Sequence, residues 1–176
     1  MIRRPMIHHY VAFLRAINVG GRTVKMDHLK QIFEALPIKN VSTFIASGNV
    51  LFETPAAAIH LEASIELQLR KHLGYPVATF IRTIPELQKV AAHEPFAGEE
   101  GTVYVAFLKT RPSIEAQRTL SGFNSEVDRF HVHGREAYWL AKAGFSGSSF
   151  TGAKLEKTLG PATARNITTV RKLAAR

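Results

Sequence analysis

The chain has 176 residues, 45% of them apolar and 21% charged, enough for one ordinary domain or two small ones with a real core. It contains no cysteine, which excludes disulfides, thiolate metal sites and thiol nucleophiles. Lysine and arginine outnumber aspartate and glutamate by 23 to 14, giving +9 and an isoelectric point near 10.1, so the surface favours anionic partners.

The first residues, Met1-Ile2-Arg3-Arg4-Pro5, carry cations with no apolar stretch behind them, so no secretory signal is expected. No apolar run approaches the ~18 residues of a membrane span, and a cytoplasmic location without membrane contact is the expectation.

Taken in order, residues 8–14 alternate and are rich in β-formers, which predicts a strand. The segment from Arg15 to Lys25 is polar, with paired glycines and three cations. Met26, Leu29, Ile32, Phe33 and Leu36 then recur at helical spacing, and Pro37 ends that helix. Strands are predicted at 41–46 and 49–53, turned by Ser47-Gly48. Thr54-Pro55 has the pattern of a helix opening, and Leu61, Ile65, Leu69 and Leu73 form one stripe closed by Gly74 and Pro76. A fourth strand is expected at 77–82. The order β-α-β-β-α-β is that of a ferredoxin-like plait.

The second half begins with Thr83-Ile84-Pro85-Glu86, a capping box before a short helix. A strand at 102–109, a helix from Pro112-Ser113 to Leu120 and a hairpin of 127–132 with 136–141 follow. Two closing helices are expected, 151–159 and 163–175, the latter N-capped by Thr163. Tyr10-Val11-Ala12-Phe13-Leu14-Arg15 is nearly repeated as Tyr104-Val105-Ala106-Phe107-Leu108-Lys109. The reading is therefore an α+β protein of two pseudo-duplicated ferredoxin-like (α/β plait) subdomains. Residues 1–82 form the first, and 83–176 form a second, plait-like one with terminal helices and no fourth strand.

Candidate site residues cluster in two stretches. In the first, Gly20 and Gly21 let backbone N–H groups approach a ligand before a helix start, where Arg15 and Arg22 add positive charge. The spacing matches neither a Walker loop nor a dinucleotide fingerprint. Asn18 and Asn49 each lie by a glycine at a strand end, placed to share a polar cluster or to bind their own loops. In the second, Arg165 sits in what reads as the first turn of the last helix, where a cation is unfavourable. Arg165 and Asn166 therefore suggest a partner elsewhere, a carboxylate such as Glu156 or a ligand anion. If the last helix crosses between the halves, Arg165 and Asn166 join the 18–22 loop in one site.

Other chemistries find less support. His131 and His133 share a strand face, but no third ligand stands at a suitable spacing, so neither a metal nor another cofactor is expected. The 144–149 loop lacks a nucleophile elbow, and Glu99-Glu100 reads as a solvated pair. The central strand lacks the glycine-aromatic pattern of RNA-recognition plaits.

Taken together, Phe13-Leu14-Arg15-Ala16-Ile17-Asn18-Val19-Gly20-Gly21, Met26 and Leu29, and Ser47-Gly48-Asn49-Val50 resemble the bacterial DUF1697 family. Lys154-Leu155-Glu156, Thr163-Ala164-Arg165-Asn166 and Thr169-Val170 extend the resemblance over almost the whole chain. It implies a pair of ferredoxin-like subdomains and assigns no catalytic residue, since the family is a domain of unknown function. Two departures are Ala16, where the family usually has glycine, and Ile167-Thr168, where Trp-Asn is usual. Two functions follow as expectations: a binding module for an anionic small molecule or nucleic acid, or an enzyme acting on a phosphorylated or carboxylated metabolite at the junction of the halves.

Overall fold

The computed structural model describes residues 5–176, and the cationic Met1–Arg4 of the signal reading lies outside the described residues. The chain divides into two compact units, Met1–Glu86 and Leu87–Arg176. Each contains a four-stranded antiparallel sheet with helices.

In the first unit β1 (His8–Leu14), α1 (Met26–Glu34), β2 (Lys39–Thr43), β3 (Asn49–Thr54), α2 (Ala58–Leu73) and β4 (Thr79–Thr83) give the sheet order β2-β3-β1-β4. Tyr10, Ala12 and Leu14 face the helices, as the two-residue period of a strand requires. They meet Leu29, Ile32 and Phe33 of α1 and Leu61, Ile65 and Leu69 of α2 in one core. Val11 and Phe13, on the opposite face, are also fully buried, so the alternation in β1 is one of faces and not of exposure. Gly74 ends α2 in the left-handed conformation expected of a C-terminal glycine. The helix opens four residues later than Thr54. The Thr54 hydroxyl instead accepts from the Ala56 amide in a local turn (3.2 Å).

Helix α3 (Ile84–Ala92) starts on the predicted capping box. Glu86 accepts from the Thr83 amide (2.7 Å) while the Thr83 hydroxyl accepts from the Glu86 amide (3.2 Å).

The second unit runs β5 (Thr102–Leu108), α4 (Ile114–Ser121), β6 (Asp128–His133), β7 (Glu136–Ala141), α5 (Gly152–Leu159), β8 (Ala162–Asn166) and α6 (Ile167–Ala174), with sheet order β6-β7-β5-β8. Here the sequence reading is corrected. Residues 162–166 form a fourth strand along β5, and the last helix starts at Ile167 with Asn166 as its cap, not Thr163. Hydrogen bonding to β5 outweighs the weak strand propensity of this alanine-rich segment.

With β8 in place the two units have the same strand order, and the registers correspond. Val11 pairs with Arg82 as Val105 pairs with Arg165, and Tyr10 lies opposite Phe52 as Tyr104 lies opposite Trp139. Both arginines are buried, and each donates to the carbonyl of the residue before it: Arg82 to Ile81 (2.8 Å) and Arg165 to Ala164 (2.9 Å). The core of the second unit gathers Ala106, Leu108, Leu120, Phe130, Trp139, Phe150 and Leu155. Asp128, 2% exposed, accepts from the Trp139 indole N–H (2.7 Å) and the Ser148 hydroxyl (2.6 Å). This satisfies a buried carboxylate that would otherwise be costly.

Candidate functional site

Because the two sheets correspond strand for strand, the places where the units differ stand out. At the sheet end where β1 stops, Leu14 lies beside Thr79 of β4 and Phe13 beside Asn49 of β3. Three connections meet there, and each is longer in the first unit. The β1–α1 loop has 11 residues (15–25) against 5 (109–113), the β2–β3 hairpin 5 (44–48) against 2 (134–135), and the link into β4 5 (74–78) against 2 (160–161). Enlarged connections on a common scaffold are where binding residues usually reside.

Five predicted site residues, Arg15, Asn18, Gly20, Gly21 and Arg22, fall in the first of these connections. Asn18 is the clamp. Its side chain donates to the Ala46 carbonyl (3.0 Å) and accepts from the Val24 amide (2.5 Å), tying both ends of the loop to the hairpin. It occupies the left-handed region (φ +59°), which asparagine tolerates better than most residues. Asn49 holds the other side of the same hairpin, donating to the Phe44 carbonyl (2.9 Å) and the Ser47 hydroxyl (2.8 Å). The two asparagines thus meet neighbouring points of one hairpin, Asn49 from within it and Asn18 from the β1–α1 loop. Gly48 completes the packing. A Cβ there would lie 3.1 Å from the Cβ atoms of both Leu14 and Ile17.

Gly20 (φ +61°) and Gly21 (φ +79°) are exposed, and a Cβ at either would meet nothing within 4 Å. Their conformation needs glycine, while the space beside them is open. Arg15, Arg22 and Lys25 are exposed around them, and the Arg22 guanidinium lies 4.2 Å from the centre of the Tyr75 ring in the third connection. No side chain caps the start of α1, whereas Ser113 caps its counterpart α4 by accepting from the Ala116 amide (3.1 Å). The start of α1 is therefore left without a side-chain cap, a feature suited to an anion.

Arg165 and Asn166 lie in the second unit. Arg165 is 8% exposed, donates to Thr163 (2.8 Å) and Ala164, and has its pKa lowered by burial to about 10, so it stays charged at neutral pH. Its position in β8 places it before the helix and removes the expected conflict with the helix dipole. The Asn166 side chain accepts from the Thr168 amide (2.9 Å) and lines a cleft of about 420 Å³ with Phe96, Thr102 and Arg171, the last paired with Glu94 (2.9 Å).

One grouping that the sequence reading missed also lies in the second unit. His93, just beyond α3, stands beside His131 and His133 of β6. Its distance along the chain hid it, because the proximity is created by the packing of α3 and not by any local spacing.

Comparison with known proteins bears on the fold. No curated protein matches the chain. Among solved structures, the conserved bacterial protein SP0830 from Streptococcus pneumoniae is similar with a TM-score of 0.77 and 20% identity, covering 97% of this chain and 98% of that one. Among the described residues no helix is long and apolar enough to cross a membrane. The family model described as a protein of unknown function, DUF1697, matches residues 7–138, and the chain belongs to that family.

Proposed function

We propose that each half, 1–82 and 83–176, is a ferredoxin-like plait, and that the protein is a binding module for a phosphate-bearing anion, held at the enlarged sheet end of the first half. The observation that carries this reading is the lengthening of all three connections at one sheet end, with an open double-glycine turn and exposed cations above a helix start that no side chain caps. Arg15, Arg22 and the backbone at Gly20 and Gly21 contact the ligand, with Lys25 adding charge. Asn18 and Asn49 keep the backbone in place.

The open geometry suits the phosphates of a nucleotide or the backbone of a short oligonucleotide. The test is calorimetric titration with pyrophosphate and with mixed single-stranded DNA and RNA oligomers at low and physiological salt. Binding should weaken as salt rises, because phosphate contacts release counterions. The double substitution Arg15→Gln with Arg22→Gln should weaken it about tenfold or more, the scale of hydrogen bonds to charged groups. No binding heat with any of these probes at low salt overturns the proposal.

A further inference from the structure

The second unit holds a cluster that the anion-binding reading does not use. His131 and His133 project from the same face of β6, their ring centres 6.5 Å apart. His93 enters from the end of α3, its ring centre 5.2 Å from that of His131 and 4.2 Å from that of His133. Each histidine offers a ring nitrogen, and these nitrogens all lie within 4.8 Å of one another. The half-buried His93 has its Nε2 sealed from solvent and without a hydrogen-bond partner. Buried polar atoms normally have a partner, and in the tautomer protonated at Nδ1 this nitrogen has a lone pair open to a metal ion.

We propose that His93, His131 and His133 form a binding site for a zinc-class divalent transition-metal ion. Imidazole nitrogen suits zinc, copper and nickel, and three neutral imidazoles supply a full protein donor set with a fourth position left to water or another ligand. A tetrahedral ion with Zn–N near 2.0–2.1 Å sets its nitrogens about 3.4 Å apart, so the rings must draw together by roughly 1.4 Å at most. His131 and His133 are exposed and make that adjustment by side-chain rotation. The floor of the site is firm. Tyr138, fully buried and cross-strand from His131, packs against the His93 and His131 rings, and its hydroxyl donates to the Val90 carbonyl of α3 (3.0 Å). That bond fixes the helix end carrying His93 against β7, the strand paired with the one carrying the other two.

The protonation state agrees with this geometry. Burial, followed by the neighbouring imidazoles, lowers the pKa of His93 and also that of His131 below the usual histidine value. The other reading is that the rings stack only as an aromatic group with Tyr138, and experiment separates the two.

The experiment uses the full chain, stripped with chelator and titrated with zinc by calorimetry and with cobalt(II) by visible absorption. One equivalent should bind, with the intense bands of tetrahedral cobalt. His93→Gln and His131→Gln should each reduce affinity at least tenfold, while the double variant His60→Gln with His72→Gln, on α2 of the first unit, leaves it unchanged. Circular dichroism checks that the variants fold. Independently of any variant, imidazole ¹⁵N spectra of the wild-type protein should show three histidines shifting together on adding zinc. Zinc affinity no higher than that of His93→Gln, or ring shifts spread over all eight histidines, overturns the proposal.

Discussion

The two units share a sheet order and a register, yet they differ in how the frame is finished. In the first, the connections at one sheet end are long, Asn18 joins the β1–α1 loop to the hairpin, and that loop carries Arg15, Arg22 and Lys25 exposed. In the second, the same connections are tight, α4 is capped by Ser113, and polar groups lie on the sheet: the Asp128–Trp139 pair on one face, and His131 and His133, met by His93, on the other. The two frames are thus alike in register and in their buried arginines and differ in the loop ends and the strand faces. The two units place their polar groups according to different local rules on one backbone.

The sharpest way to test that contrast is at the two hairpin glycines. Gly48 needs positive φ and has no room for a Cβ, whereas Gly134 (φ +61°) has an ordinary 3.5 Å approach to the Glu136 carboxylate. Gly48→Ala should cost about 2–4 kcal/mol, the left-handed penalty plus overpacking, and Gly134→Ala about 1–2 kcal/mol. Chemical denaturation of both variants measures the difference, and equal costs would mean the enlarged hairpin is not packed on β1 as described. Next in size is Trp139→Phe, which gives β7 the residue type that Phe52 supplies at the same register position of β3. It removes a hydrogen bond to a buried carboxylate and should destabilise by about 1.5–3 kcal/mol. A loss below 0.5 kcal/mol, by the same measurement, would show that Asp128 finds another donor. The smallest effect is expected at Ala16, a non-glycine residue at φ +56° in the first-unit loop. Ala16→Gly should raise stability by about 1 kcal/mol as the left-handed strain is relieved, less the added freedom of the unfolded chain. A lowered melting temperature would contradict it.

Much of the frame was legible. Strands β1, β3 and β4, the α2 stripe ended by Gly74 and the Thr83–Glu86 box followed from periodicity and capping, whereas β2 lies at Lys39–Thr43 and not at 41–46, because Phe44, Ile45 and Ala46 belong to the enlarged hairpin. Strand β8 was not legible. Ala162-Thr163-Ala164 has little strand propensity, Thr163 is a good helix cap, and the Ile167, Val170 and Leu173 stripe extends the helical pattern into it. The internal repeat held the missing signal: Arg82 and Arg165 stand at the same register position, each one residue before the residue that caps the next helix, Thr83 or Asn166. At the candidate site the clamping asparagines and the glycine turn could be named from sequence. The contrast in connection lengths required both sheets, and His93 required the fold.

The Asn18 clamp also bears on how quickly a ligand would be captured. Fixing a backbone residue costs on the order of 1–2 kcal/mol in conformational entropy, and a loop that orders only on binding draws that cost from its affinity. Here both ends of the loop are hydrogen-bonded through one side chain before any ligand arrives, leaving the exposed tip around Gly20 and Gly21 to adjust. Association with an anion would then be governed by diffusion and charge and not by a slow closing step. Differences in affinity among ligands would appear in their rates of departure.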